Sequence, residues 1–280
     1  MEIFIHCLMF VFGACFGSFL CCQARRLKLR EDKKPKLGAR SVCPHCLHRL
    51  KWYENLPIIS WLIQKGKCRH CHRKIGVTEI ISELATGLAF LFVSIAFSRA
   101  SLSTGFTPFG LFQANTISPL SYAILVATIL LVLFLIFLSI YDGLYGELPT
   151  FALIASAVIA LIIVILRLVT DGFAMPRVVD TLLAIMVLGG TYLVLYLVSK
   201  GKWVGDGDWI LGSIIAAVLG TPMLALIVLF LSNFAACLIT LPLVKKTKNH
   251  RIYFGPFLVL AYIVTLLIAS TGVMDYLVSL

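Results

Sequence analysis

Two aspartates stand where long apolar runs meet short polar turns. Asp142 closes the run Leu120–Tyr141, and Asp208 ends Gly205-Asp206-Gly207-Asp208, just before the run Trp209–Leu219. A charged side chain at a membrane border is costly unless it has a task. Peptide-bond hydrolysis needs one carboxylate to activate water and a second, protonated carboxyl to polarise the carbonyl. Asp142 and Asp208 are therefore a candidate catalytic pair.

The neighbours of the pair fit the same chemistry, although each has a structural alternative. Gly205 and Gly207 lack a Cβ and would let a substrate backbone approach Asp208. Asp206 and Glu147 lie in the same two loops and could attract a basic substrate segment or serve only as interface charges. Each aspartate of the pair could instead cap a helix, as Asp208 would for the helix expected to begin at the next residue.

Four of the nine cysteines have metal-ligand spacing. Cys43 and Cys46 form one C-x-x-C knuckle, Cys68 and Cys71 form another, and 21 residues separate the two. Four thiolates fill a tetrahedral zinc shell and leave no position for a reactive water, so we expect a structural zinc. Two disulfides are the alternative, but the basic flanks place this region in a reducing cytoplasm. Four nearby histidines could substitute as ligands, namely His45, His48, His70 and His72.

The composition predicts an all-α polytopic membrane protein. Of the 280 residues 60% are hydrophobic and only 13% are charged, and several apolar runs approach the length of a bilayer span. Hydropathy predicts about eight transmembrane helices, of which the sixth is short enough to be a re-entrant piece: Ile3–Cys22, Glu79–Phe97, Leu120–Tyr141, Thr150–Leu168, Val179–Ser199, Trp209–Leu219, Met223–Val244 and Phe254–Thr271.

Basic residues predict the orientation. Of the 24 Lys and Arg, 15 lie between Arg25 and Lys74, so the net charge of +11 indicates topology and not nucleic-acid binding. An eight-helix arrangement puts 21 of them on the cytoplasmic side, along with both aspartates, and both termini outside. Three regions are expected: a first transmembrane helix over 1–24, a cytoplasmic zinc-binding domain over 25–78, and a membrane peptidase domain over 79–280.

The motifs, taken in order, resemble those of the bacterial type IV prepilin peptidases, which are aspartyl leader peptidases and N-methyltransferases. Gly17-Ser18-Phe19-Leu20 is similar to the first-helix signature of that family. The two cysteine knuckles, with Asn55-Leu56-Pro57 between them, resemble its zinc-binding insertion. Asp142 followed by Leu148-Pro149, the G-x-G-D sequence ending at Asp208, and Phe254-Gly255-Pro256 resemble its later motifs.

This resemblance implies a bacterial inner-membrane enzyme that cleaves type IV prepilins or pseudopilins at the cytoplasmic face. Asp142 and Asp208 would hydrolyse the bond after the basic leader. The new N-terminal residue would then be methylated with S-adenosylmethionine, whose binding residues the sequence leaves unknown. Glu83, an acid inside the second helix, is a candidate for holding the amine, and a packing role is its alternative.

Two other functions stay open at this point. One is an aspartyl intramembrane peptidase that does not methylate. The other is a non-enzymatic transporter or assembly scaffold, in which the aspartates carry an ion or cap helices. The oligomeric state is not predictable from the sequence.

Overall fold

The apolar runs fold into helices, as they must in a bilayer, where each backbone group has to find its hydrogen-bond partner within its own segment. The computed structural model describes residues 2–32, 41–43, 45–46, 48–102, 119–170, 172–201, 203–244 and 253–269. Within these ranges no strand forms. The helices are α1 (Glu2–Glu31), α2 (Ile59–Ile63), α3 (Val77–Leu102), α4 (Pro119–Tyr145), α5 (Thr150–Thr170), α6 (Met175–Ile185), α7 (Thr191–Ser199), α8 (Asp206–Leu219), α9 (Pro222–Val244) and α10 (Gly255–Ala269).

Over the residues that the structure describes, each of the eight predicted segments coincides with a helix, and six described helices are long and apolar enough to cross a membrane. A π-helical turn, Met186–Gly190, joins α6 and α7 into one of these six. The other two predicted segments are the shorter helices α8 and α10. The protein is an all-α polytopic membrane protein. The sequence also predicts an outer loop over 100–119; most of this loop and the whole basic segment 245–252 lie outside the described residues.

The chain divides into two compact units, Met1–Ser94 and Ile95–Leu280. In the first unit, α1 and α3 approach closely through glycines. A Cβ on Gly17 would lie 2.7 Å from the Ser82 carbonyl oxygen, and a Cβ on Gly13 would lie 2.6 Å from that of Thr86. Backbone atoms cannot retreat as a flexible side chain can, so only glycine permits this contact. The domain borders at 24 and 78 remain predictions.

In the second unit, α8 is the helix that the others surround. It packs against α5, α6, α7, α9 and α10, and no residue from Gly207 to Leu219 is exposed. Its 14 residues span only about 21 Å, less than the ~30 Å hydrocarbon core. Because α8 is enclosed by protein, it need not match the bilayer thickness. Gly220, at φ +69°, ends the helix, and the Arg167 guanidinium donates a hydrogen bond to the Val218 carbonyl near that end.

The π-helical turn lies directly against α8. A Cβ on Gly189 would fall 2.1 Å from Ser213 Oγ, so the two helices touch through the glycine backbone. Such turns bulge a helix locally without ending it. The π-helical turn therefore packs closely against α8 at Ser213.

Candidate functional site

Asp142 lies near the end of α4, where its side chain turns inward. It is 6% exposed, and its Oδ2 accepts a hydrogen bond of 2.9 Å from the backbone N–H of Gly255, the first residue of α10. The first N–H groups of a helix have no partner within the helix and suit a carboxylate. A Cβ at residue 255 would approach this oxygen to 2.7 Å. The glycine therefore allows α10 to hold the carboxylate directly.

Asp208 lies in the first turn of α8. The helix begins at Asp206 and not at Trp209 as expected, so Gly205 is the cap residue and Asp208 the third helical residue. Asp208 is 7% exposed, and its Oδ2 accepts a hydrogen bond of 2.9 Å from the Gly205 N–H. The sequence suggested that Asp208 itself could be the cap residue. Instead, Asp208 accepts the N–H of the cap residue Gly205, and this hydrogen bond orients the carboxylate.

Within the second unit, the two aspartates come within electrostatic reach of each other. Each uses Oδ2 to accept one backbone N–H, and no hydrogen bond to Oδ1 of either is present among the described residues. Two buried carboxyls without a cation between them are costly when both are ionised. A proton shared between the two carboxyls is the arrangement that this geometry favours.

The glycine at position 207 has a different role from the one expected. A Cβ there would lie 2.5 Å from Leu148 Cδ1, so the space that the glycine leaves is filled by the loop after α4. Gly205 faces more open space, with only the Asp208 carboxylate within 4 Å of an added Cβ. Gly207 therefore packs the loop against α8, and only Gly205 keeps a surface that a substrate could approach.

A buried hydrogen-bond network that the sequence did not indicate lies beside Asp208. The Tyr192 hydroxyl is 3.1 Å from both Ser232 Oγ and Asn233 Nδ2, and its ring packs against Phe254, beside the start of α10. Tyr192 is also within electrostatic reach of Asp208. No spacing rule connects a residue of α7 with residues of α9, some 40 positions later. The only available signal was the presence of polar residues inside otherwise apolar runs.

The other two acidic candidates stay at the surface of this site. Asp206, at the start of α8, and Glu147, in the loop between α4 and α5, are both exposed. Because solvent screens the interactions of exposed charges, these two carboxylates are better suited to attracting a mobile basic segment than to acting as catalytic groups.

The four cysteines come together in the first unit, as their spacing predicted. Their sulfurs lie within 4.8 Å of one another, and Cys43 Sγ is 3.9 Å from Cys71 Sγ. Tetrahedral zinc with ~2.3 Å bonds needs sulfurs about 3.8 Å apart, so the group fits this metal. All nine cysteines are free. The cluster could therefore hold a metal ion.

Backbone hydrogen bonds shape the two cysteine knuckles. Isolated antiparallel bridges, Val42 to Arg49 and Lys67 to Lys74, close each knuckle into a tight turn. In the second turn, the N–H groups of Cys71 and His70 donate to the sulfur of Cys68 and lower the pKa of its thiol to about 7. The thiolate is the form that binds metal.

Two of the four histidines considered as substitutes form a second group beside the cysteines. His48 and His70 have ring centroids 3.4 Å apart, and Glu54 offers a carboxylate within 4.8 Å. His45 and His72 are exposed. The complete cysteine set leaves these histidines as neighbours of the metal site.

Glu83 is held within the first unit. It is 7% exposed, and its Oε2 accepts a hydrogen bond of 2.7 Å from the Ile58 backbone N–H. Ile58 belongs to the segment between the knuckles and has the unusual φ of +62°. Glu83 thus ties α3 to the cysteine-bearing insertion, and it lies on a cavity considered further below.

Comparisons with known proteins show what the chain is similar to. A family model described as "Bacterial Peptidase A24 N-terminal domain" matches residues 11–97. The "Prepilin leader peptidase/N-methyltransferase" of Stutzerimonas stutzeri is 28% identical over 98% of this chain and 94% of its own length. The protein with that description from Pseudomonas aeruginosa is 29% identical over 94% of this chain and 90% of its own.

A more similar match is shorter. The Myxococcus xanthus protein of the same description is 44% identical over 29% of this chain and 24% of its own length. No solved structure matches. With relatives aligned along nearly the whole chain and motifs in the same order, the chain is similar to the bacterial prepilin leader peptidase/N-methyltransferases over nearly its full length.

Proposed function

We propose that this protein is a membrane aspartyl endopeptidase that cleaves the basic leader from type IV prepilins or pseudopilins and then N-methylates the new N-terminal residue. The observation that carries the peptidase assignment is the approach of the Asp142 and Asp208 carboxyls inside one unit, each oriented by a backbone N–H. The printed names of the relatives support both the substrate class and the methylation.

The two carboxyls divide the work of hydrolysis. The ionised one takes a proton from water as the water attacks the scissile carbonyl, and the protonated one donates a hydrogen bond to that carbonyl and later protonates the leaving amine. The N–H groups of Gly255 and Gly205 hold one oxygen of each carboxyl, so the free oxygens keep their positions through the reaction.

The substrate reaches this pair from the cytoplasmic side. The excess of Lys and Arg between Arg25 and Lys74 supports an inner-membrane orientation with that region inside and both termini outside. The apolar helix of a prepilin lies in the bilayer and its basic leader in water. The exposed carboxylates of Asp206 and Glu147 attract that leader before the bond meets the pair.

The first unit serves methylation. Zinc bound by Cys43, Cys46, Cys68 and Cys71 holds the insertion folded, because a region of about fifty residues is too small to rely on an apolar core alone. S-adenosylmethionine supplies the methyl group. Glu83, buried beside the insertion, is the carboxylate available for a cationic group there.

Leader cleavage by purified, reconstituted protein tests the peptidase assignment. Asp142→Asn and Asp208→Asn should each abolish cleavage of a prepilin while zinc content and thermal unfolding stay unchanged. Asp180→Asn, which alters an aspartate of α6, is the matched control and should cleave normally. Full cleavage by either of the first two variants would refute the pair.

The mass of the mature pilin N-terminus tests the second activity. With S-adenosylmethionine present, the mature protein should gain the mass of one methyl group less the hydrogen that it replaces, and without it the mass should match the unmodified product. Cleavage without any gain would make this protein a peptidase only.

A further inference from the structure

A cavity of about 630 Å³ lies inside the first unit, between α1, α3 and the cysteine-bearing insertion. Its walls include Phe19 from α1, Glu83 from α3, and Asn55 and Trp61 from the segment between the knuckles. The volume falls in the ~300–1,000 Å³ range of small-molecule sites. None of its lining residues belongs to the aspartate site, so this cavity is a separate candidate for ligand binding.

Glu83 places a buried carboxyl group on the cavity wall. Its carboxylate is hydrogen-bonded by the Ile58 N–H and the Ser18 hydroxyl, both neutral donors. Two ion pairs in this unit, Arg25 with Glu79 and Lys28 with Glu31, do not include Glu83. A buried carboxylate without a cation is costly. A positively charged ligand in the cavity would remove this cost.

The rest of the wall offers partners for a ligand that is larger than a simple cation. Trp61 and Phe19 present aromatic surface, and the buried indole N–H of Trp61 has no hydrogen-bond partner within the described residues. Asn55 adds an amide that can pair with the edge of a heterocycle. Arg73 and Lys74 add positive charge for a carboxylate.

We infer that this cavity binds S-adenosylmethionine, with Glu83 as the counter-ion of its positively charged methionyl end. That ligand combines an adenine ring, an amino-acid carboxylate and two positive groups. The cavity wall offers aromatic side chains for the ring, Arg73 and Lys74 for the carboxylate, and Glu83 for the positive groups. The inference rests on the methylation in the proposed function, and it assigns that activity to residues of the first unit alone.

Equilibrium dialysis of radiolabelled S-adenosylmethionine against the full chain in lipid nanodiscs tests this assignment. The unaltered protein should bind one equivalent saturably. Glu83→Gln keeps an acceptor for the Ile58 N–H but removes the charge, and should weaken binding at least tenfold. Asn55→Trp should fill the cavity and prevent binding, whereas Leu56→Trp, an exposed neighbour absent from the wall, should bind normally.

Two further measurements separate binding from folding and from the peptidase. Zinc content and thermal unfolding of Glu83→Gln should match the unaltered protein, and its leader cleavage should be retained. Failure of the unaltered chain to bind S-adenosylmethionine would overturn the inference even if cleavage were normal. Undiminished binding by Glu83→Gln with loss of methylation would also overturn it, because the carboxylate would then serve the amine substrate.

Discussion

Because Gly255 contacts Asp142, a substitution at Gly255 can change the orientation of the Asp142 carboxyl without replacing the carboxyl itself. Replacing Gly255 by alanine adds a single methyl group at the first residue of α10. The residue has no left-handed φ, and alanine favours helix by about 1 kcal/mol over glycine. The substitution should therefore leave α10 intact, and any loss of activity would come from the site.

The size of the disturbance follows from the geometry. The new Cβ would lie 2.7 Å from Asp142 Oδ2 and 3.3 Å from Asp142 Cβ, whereas Cβ contacts under 3.0 Å are essentially never seen. The carboxylate must retreat by at least about 0.3 Å, and its 2.9 Å bond to the Gly255 N–H lengthens or breaks. Displacements approaching 1 Å cost about 100-fold in rate. We expect a 10- to 100-fold loss of kcat/KM, about 1.4–2.7 kcal/mol.

The assay is leader cleavage of a purified prepilin under single-turnover conditions, with thermal unfolding measured on the same preparations. Gly143→Ala is the matched control, because it adds a methyl group next to Asp142 whose only close neighbour is Pro256, at 3.6 Å. It should cleave as the unaltered protein does. Unchanged kcat/KM for Gly255→Ala, or an equal loss for Gly143→Ala, would refute the reasoning.

Two remaining predictions concern the first unit. Purified protein should contain about one zinc per chain, and Cys43→Ser should lose it because three thiolates no longer complete the four-ligand shell. If protein purified anaerobically contained no zinc, this prediction would be wrong. Gly17→Ala should lower the free energy of unfolding by about 1–3 kcal/mol, because its Cβ meets the Ser82 carbonyl. Gly190→Ala, with nothing within 4 Å of the added Cβ, is its control, and equal thermal unfolding of the two variants would exclude a tight α1–α3 contact.

The helix positions, the cysteine cluster and the two candidate aspartates could be predicted from short stretches of the sequence. The helix positions follow from apolar runs, because a backbone in lipid has few alternatives to a helix. The cysteine cluster follows from spacing within two short knuckles. Asp142 and Asp208 stand out because an acid at the border of an apolar run is conspicuous, although their pairing as catalysts remains a proposal.

Other features depend on residues far apart in the chain, and only the tertiary structure decided them. The Gly255 N–H that holds Asp142 is 113 positions away, and no periodicity connects the two. From the sequence, the missing Cβ of Gly207 was expected to let a substrate approach Asp208, but the Leu148 side chain occupies that space. The short run after Asp208 suggested a weak span, but it is a helix enclosed by its neighbours. In each case packing between helices, which local sequence does not encode, determined the role of the residue.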